Sequence, residues 1–433
     1  MTECHFIREH EFFVDASVLG NGDGPLPPGA HRLNHETFDA LESLILENRV
    51  TGSADALEIM ALGARQDVGR IITARNYVGV IQLLDGTSVQ ILPKIDTSDA
   101  SAGRRVLANM LRAVIDLPLK DFDLASLETA RTDVLEPLVR MFVRAVSRLA
   151  RRGLSGAYDT TEDNERFFKG KVDFAQDLRL NVAHRERHYV SYDEFSINRA
   201  ENRIILETLH LLRAGTRSHE TRREIARTLE FFTGVERPHD VERDFALCKI
   251  DRNMGAYQSI LEWCRVFLRR ESFISFAGSK VASSLLFPME RLFERYVARM
   301  VRSEGAKTQW HVTAQDHGRY LFDEPRRFML RPDIVMRREG ILPVILDTKW
   351  KTVGDSLGGI SQADMYQMYV YQHRYETSKS IVIYPMQPGM DVGLLGEYRG
   401  WSRGGHDSHI QLFAYDLEHP RESARQLVSI AEI

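Results

Sequence analysis

The sequence predicts an α+β protein of several domains: a small β-rich N-terminal domain, a helical middle and a C-terminal α/β domain. Three observations predict it. The chain has 433 residues, 43% of them hydrophobic, which is length and apolar content enough for two to four domains with sizeable cores. The apolar period changes along the chain, from short β-like runs up to about residue 95, to a helical period from about 103 to 275, to mixed strands and helices after about 280. Charged residues make up 27%, an ordinary share that gives no expectation of wholesale disorder. The boundaries expected from these changes are 1–100, 101–275 and 276–433.

The elements follow in order. Residues 20–30, GNGDGPLPPGA, read as a Gly/Pro-rich turn, because no strand-to-helix context and no Lys-Ser/Thr surrounds the glycines. Asn34 caps a helix with apolar positions Phe38, Leu41 and Ile45. Strand-like runs cover Leu57–Leu62, Arg70–Ala74, Val78–Leu84 and Ser88–Leu92, with Asp85-Gly86 as a hairpin turn between the last two. Helices are expected at 103–116, 132–152, 198–214, 218–233 and 254–271. RFFKGKVDF (166–174) reads as a loop entering a short extended stretch, and 234–244 as a surface connection. Beyond 280, a helix is expected at 285–303 and strands at 307–313, 328–337 and 342–349. A helix at 361–375, strands at 380–385, 391–398 and 409–415, and a helix at 421–431 complete the α/β layer.

Composition also excludes. With 57 basic and 61 acidic residues the formal charge is −4, so the chain is not held to DNA by bulk charge, though a local site is compatible. No run of about 18 uncharged apolar residues occurs, and MTECHFIREHEFF has no apolar signal region. Cys4, Cys248 and Cys264 are too far apart for a disulfide framework or a CxxC zinc site. A cytoplasmic protein away from membranes is the expectation. The absence of GxxxxGK[ST] assigns any nucleotide hydrolysis to another chain, and the absence of GxSxG disfavours a serine hydrolase.

The stretch LRPDIVMRREGILPVILDTKWK (330–351) carries chemistry. Side chains alternate along a strand, so Asp347 and Lys349 leave the same face. A turn at Arg337–Gly340 can bring Asp333, which opens the preceding strand, beside Asp347. Two carboxylates and a lysine then meet where the apolar run Val344-Ile345-Leu346 ends. Hard divalent cations take carboxylate oxygens and leave room for water and phosphate, and such a metal activates water against a phosphodiester. Glu290 and Glu294 lie one helical turn apart in FPMERLFERYV, and either can add a carboxylate. Gln367 and Tyr371, also one turn apart, follow on the next helix.

Pro332-Asp333, Asp347-Thr348-Lys349 and a QxxxY helix together resemble the PD-(D/E)xK nuclease superfamily. RNYVGVIQLLDGTSVQILPKI (75–95), KGKVDFAQDLRLN (169–181), YDEFSINRAENRIILETL (192–209), LFERYV (292–297) and DMYQMYVYQ (364–372) are similar, in the same order, to motifs of the McrC family. The resemblance implies a C-terminal restriction-endonuclease-like domain. It also implies the nuclease subunit of a McrBC-like, methylcytosine-specific restriction system in phage defence, in which a McrB-like AAA+ GTPase recognises modified cytosine in double-stranded DNA. It implies Mg²⁺, with Mn²⁺ as a substitute. It implies catalytic roles for Asp333, Asp347, Lys349, Glu294 and Gln367, a weaker one for Tyr371, and Asp333, Asp347 and Glu294 as metal ligands. Docking on the partner is expected at the N-terminal domain, with dimerisation within a larger assembly. A stand-alone DNA repair nuclease and a non-catalytic adaptor that activates a AAA+ ring are the alternatives.

Two further patterns invite a ligand reading. Arg140, Arg144 and Arg148 form a basic stripe at i, i+4, i+8, continued by Arg151 and Arg152, with no acid between 140 and 152. It suits DNA phosphates or an acidic partner, or else a solvated helix face. Phe167 and Phe168 in RFFKGK read as loop anchors rather than base-stacking residues, and His311 and His317 as isolated histidines.

Overall fold

The computed structural model describes residues 4–17, 26–50, 59–83, 85, 87–95, 100–114, 136–216, 218–248, 254–268, 281–351, 353, 360–387, 389–401 and 407–432. Parts of the expected 20–30 turn, of the 57–62 strand and of several helix ends lie outside these residues. The chain divides into two compact units: one joins 1–116, 123–135 and 272–433, the other holds 117–122 and 136–271.

The first unit begins with β1 (Cys4–Arg8), β2 (Phe12–Asp15), β3 (Ala30–Leu33), α1 (His35–Val50), β4 (Met60–Arg65), β5 (Gly69–Ala74), β6 (Tyr77–Leu83), β7 (Ser88–Leu92) and α2 (Ala100–Val114). Asn34 caps α1 as its sequence position suggests, its side-chain oxygen accepting from the Thr37 N–H at 2.8 Å. β6 and β7 pair as the expected antiparallel hairpin, and an Asp85 oxygen accepts from the Thr87 N–H in the turn. The sequence gives no sign of β1 to β3, short runs whose pairing is not local: β1 pairs with β7 and β2 with β5, both far along the chain, and β3 pairs with β2. The chain passes from β1 to β2 through Glu9 and His10, whose N–H groups donate to Leu92 and Ala74 on two different sheets.

The second unit contains α3 (Glu136–Arg151), β8 (Ala157–Glu165), β9 (Lys171–Val172), α4 (Phe174–Leu180), β10 (His188–Ser196), α5 (Ala200–Gly215), α6 (His219–Leu229), α7 (Val241–Leu247) and α8 (Gly255–Leu268). Its helices fall where the 3.6 period puts them, except that α4 and α7 occupy stretches read as loop. In the sheet β8-β10-β9, the two-residue β9 falls in the short extended stretch expected within 166–174, while β8 and β10 are not among the expected strands. β8 is AYDTTEDNE, a strand without an apolar face and so without a period of two to detect. The basic stripe is not unrelieved: Arg140 pairs with Glu220 and Arg144 lies 3.8 Å from Glu224, both acids on α6. Phe167 and Phe168 do not anchor their loop from within. Both are exposed, and Phe168 stacks on His188 with ring centroids 3.9 Å apart.

The first unit resumes with β11 (Val281–Pro288), α9 (Met289–Gly305), β12 (His311–Ala314), β13 (Tyr320–Asp323), β14 (Arg326–Met329), β15 (Ile334–Arg338), β16 (Ile341–Thr348), α10 (Gln362–Tyr375), β17 (Lys379–Pro385), β18 (Gly393–Trp401), β19 (Asp407–Tyr415) and α11 (Pro420–Glu432). The expected helix at 285–303 is corrected at its start. Residues up to Pro288 are the strand β11, which pairs antiparallel with β6. Its Leu286 is buried in the N-terminal core with Ile7, Phe38, Ile72 and Ile81. The expected strand at 328–337 is two, β14 and β15, because Leu330–Asp333 leave the ladder between them.

The large sheet runs β12-β15-β16-β17-β19-β18. β15 meets β16 antiparallel, and β16, β17 and β19 are parallel to one another. Val335, Ile345, Val382 and Leu412 pack under Met368 and Tyr371 of α10. On the other face Phe293 of α9 touches Trp350 and Tyr415. The central strand is therefore covered on both sides, as a strand flanked by parallel neighbours requires.

Because Leu286 is wholly buried in the N-terminal core, Leu286→Ala should destabilise the first unit by about 2–5 kcal/mol. Denaturant unfolding should show the loss as a lowered midpoint, and a midpoint unchanged by Leu286→Ala would refute its place in the N-terminal core.

Candidate active site

β16 carries an apolar run, Val344 to Leu346, straight into a charge. Asp347 is 1% exposed, and Lys349, two residues on and on the same face, brings its Nζ to 2.6 Å from Asp347 Oδ2. The register pairs Ile334 with Leu346, so Asp333 arrives opposite the end of β16. One Asp333 oxygen accepts from both the Thr348 N–H, at 2.8 Å, and the Thr348 hydroxyl, at 2.7 Å. Gly340, at φ +76°, supplies the left-handed turn that reverses the chain between β15 and β16.

The flanking helices complete the cluster. From α10, Gln367 Oε1 accepts from Lys349 Nζ at 3.1 Å, while Gln367 Nε2 donates to the Tyr371 hydroxyl at 2.8 Å. That hydroxyl donates to the Arg331 carbonyl at 3.1 Å, two residues before Asp333. From α9, Glu294 accepts from the Gln315 side chain, and the Gln315 N–H donates to the Asp333 carbonyl. Glu290 turns elsewhere, to Asn76 at 3.3 Å. His311 and His317 join no cluster of three possible metal ligands among the described residues.

The electrostatics are those of crowded carboxylates. Burial, then repulsion from Asp333, pushes Asp347 up to about 7 despite Lys349. Burial and Asp333 push Glu294 up to about 7 as well. Burial raises Asp333 against the hydrogen bonds from Thr348. Burial works against the charge on Lys349, but Asp347, Asp364 and Asp333 hold its pKa above the ordinary value. Asp347 Oδ2 is buried and, apart from its ion pair, accepts no hydrogen bond. An acidic pocket with such an oxygen suits a hard divalent cation held by one or two carboxylates, with water or phosphate filling the remaining positions. Glu294, Asp333 and Asp347 do not form a closed three-ligand cage, since their ligand atoms do not all lie within 4.8 Å of one another. The trio that does, Asp15, His35 and Asp39, is an ion-pair cluster. Both ring nitrogens of His35 face its carboxylates, and Arg70 reaches both acids.

The structure adds residues the sequence reading passed over. Gln315 and Thr348 position Glu294 and Asp333, and Asp364 holds Lys351 at 2.9 Å beside Lys349 at 3.9 Å. Glu9 reaches the residue after Lys349: its two oxygens accept from the Trp350 indole N–H at 3.0 Å each, and one accepts from the Lys94 N–H at 3.0 Å. Lys94 Nζ donates to the Trp350 carbonyl at 3.2 Å. Burial pushes Glu9 up to about 7 against these donors. Only the buried Trp350 in an otherwise charged TKWK segment hints at this contact.

The family model described as McrBC 5-methylcytosine restriction system component matches residues 72–385. The chain is similar to one in a refined half-complex from a tetradecameric assembly of Thermococcus gammatolerans McrB AAA+ hexamers with bound McrC. The TM-score is 0.67 at 18% identity, covering 99% of this chain and 100% of that one. It is also similar to a chain of the cryo-EM structure of the Thermococcus gammatolerans McrBC complex, with TM-score 0.50 at 19% identity, covering 70% and 88% of the two chains. A search of curated proteins gives no match.

Glu294 and Asp347 have folded-state pKa values of about 7, above those of the unfolded chain. Their contribution to stability is therefore complete below the unfolded values near pH 4 and is lost as pH rises through about 7. A divalent cation held by these carboxylates would replace the missing protons. Thermal melts should show Mg²⁺ or Mn²⁺ raising the Tm more at pH 8 than at pH 5.5. Asp347→Asn should raise the cation-free Tm at pH 8 and abolish that response; an undiminished cation response would remove Asp347 from the site.

Proposed function

The chain belongs to the McrBC 5-methylcytosine restriction system component family, and on that premise we propose that it is the Mg²⁺-dependent endonuclease subunit of a modification-dependent restriction system. Its catalytic centre lies in a PD-(D/E)xK domain within residues 276–433. The observation that carries this reading is the buried Asp347, ion-paired to Lys349 and opposed by Asp333 at the end of a central strand. A buried carboxylate repelled by a half-buried one beside it costs stability, and an adaptor that only activates a ring has no use for the pair. A McrB-like AAA+ GTPase is the proposed partner, on the analogy of the assembly of McrB AAA+ hexamers with bound McrC. Double-stranded DNA with modified cytosine is the proposed substrate.

In this reading Asp347 and Asp333, with Glu294 beside them, would hold Mg²⁺, which would polarise a phosphate and acidify a water. Thr348 keeps one Asp333 oxygen fixed, leaving its other oxygen for the ion. Lys349 keeps its proton and aims Nζ at the attacking water or the phosphoryl oxygen as negative charge grows there. Gln367 fixes the lysine's reach, and Tyr371 fixes Gln367. Glu294, held by the Gln315 side chain beside the two aspartates, is placed to take the proton released by the attacking water.

Asp347→Ala and Lys349→Ala should each lower cleavage at least about 1,000-fold, several kcal/mol of transition-state stabilisation. Binding to the partner and stimulation of its GTPase should persist. Undiminished cutting by either variant, assayed with Mg²⁺ and partner, would reject the centre.

At a net charge of −4, the chain alone should cut poorly at about 150 mM salt and gain activity with partner and GTP. Efficient, modification-selective cutting by the chain alone would favour a stand-alone nuclease.

A further inference from the structure

The β13–β14 ribbon leaves the chain beside the candidate active site and is tied to α10 through Arg319, which donates to the Arg374 carbonyl and lies over the Tyr375 ring, and through Asp323, which pairs with Arg374. Its two ends are fixed at that site. On the incoming side, the Gln315 side chain donates to Glu294 and its N–H to the Asp333 carbonyl. On the outgoing side, the Arg331 carbonyl accepts from Tyr371. Between them Tyr320 pairs with Met329, Phe322 with Arg327 and Asp323 with Arg326. Four residues per strand at about 3.4 Å each give a ribbon about 13 Å long.

Its surface is unlike that of the rest of the chain. Residues 319–331 hold Arg319, Arg326, Arg327 and Arg331 against two acids, in a protein whose overall charge is −4. One of those acids, Asp323, is neutralised by Arg374 of α10 at 2.7 Å. The four arginines are exposed, and Arg326 and Arg327 make no ion pair among the described residues. Two aromatics share the surface: Phe322 is 54% exposed and Phe328 67%, their rings edge-on at 6.1 Å. Phe328 also sits at φ +57°, in the left-handed region that a bulky side chain seldom occupies. Two aromatics this exposed, one of them on a left-handed backbone, bury little apolar surface, and Arg326 and Arg327 beside them lie in no ion pair among the described residues. They suit a polyanion that also offers flat apolar surface.

We propose that the ribbon 319–331 is the DNA-gripping element of this nuclease. Arg326 and Arg327 contact backbone phosphates of the duplex beside the cut site, and Phe328 packs against the sugar and base edges of the groove. The major groove, about 12 Å wide, admits a two-stranded ribbon. The ribbon's fixed ends hold the bound duplex in register with Asp333, which begins two residues after Arg331. The inference rests on the nuclease reading and extends it to the means by which the substrate is held.

The test measures binding of a fluorescent 30-base-pair methylcytosine duplex to the full chain in EDTA, across a salt series from about 20 to 150 mM. Arg326→Ala with Arg327→Ala should raise Kd at least tenfold at low salt. It should also make the slope of log K against log salt shallower by about two, one for each lost phosphate contact. Phe328→Gly should keep or raise the Tm, because glycine relieves the positive φ, yet should still weaken binding severalfold. A merely structural phenylalanine would not separate those effects. Unchanged Kd and slope in the double variant, with an unchanged Tm showing that it is folded, would overturn the ribbon's role. Weakened binding without the change in slope would overturn the phosphate contacts. Because no cleavage runs in EDTA, failure of the nuclease reading would show separately, as absence of cutting by the unmodified chain with Mg²⁺, partner and GTP.

Discussion

A carboxylate at the end of an apolar central strand is the constraint around which the first unit is arranged. Burying Asp347 beneath α10 and between two strands removes it from water, and its Oδ2 accepts no hydrogen bond apart from the Lys349 ion pair. Only nearby positive charge makes that tolerable, and Lys349, on the same face, provides it. Lys349 in turn is steered by Gln367, and Gln367 by Tyr371, whose hydroxyl is anchored on the backbone just before Asp333. The hydrogen bonds close a loop through α10 and the β15–β16 hairpin, so the position of one charged group is specified by several apolar and polar contacts at once.

The N-terminal segment belongs to the same arrangement. β11 closes its sheet, and Glu9, at the crossing between its two sheets, takes the indole N–H of Trp350. Trp350 follows Lys349 directly and packs against Phe293 of α9, the helix that bears Glu294. A shift of the N-terminal sheets is therefore felt at the end of β16 through one buried carboxylate and one ring. If a partner binds that segment, this is the physical route by which its presence can alter the cluster.

The second unit follows a different logic. Its helices pack by ordinary amphipathic faces, Phe142 lying against Trp263 and Phe267. The small sheet it carries is polar along β8 and leaves aromatic side chains in the open. Its basic stripe, suggestive as sequence, is answered by Glu220 and Glu224 one helix away. Charges read along one helix gain meaning only when the neighbouring helix is known.

The sequence by itself determined the elements with strong periods and the chemistry of the cluster. Amphipathic helices such as α3, α5 and α10 and the strands β5 to β7 and β16 and β17 announce themselves through 3.6- or 2-residue patterns that depend on local spacing alone. Asp347 and Lys349 were legible because strand alternation fixes their common face, and Asp333 because a short hairpin fixes its register. Tertiary structure decided whatever rests on contacts distant in sequence. It made β1 and β2 strands through pairing with β7 and β5, added β3 alongside β2, and turned 285–288 from helix into β11 because β6 offered an edge. It chose Glu294 over Glu290, one turn away on the same helix, because only one of the two faces the other carboxylates. It brought Glu9 to Trp350 across most of the chain. Local spacing records which way a side chain points; what it points at depends on how the chain closes on itself.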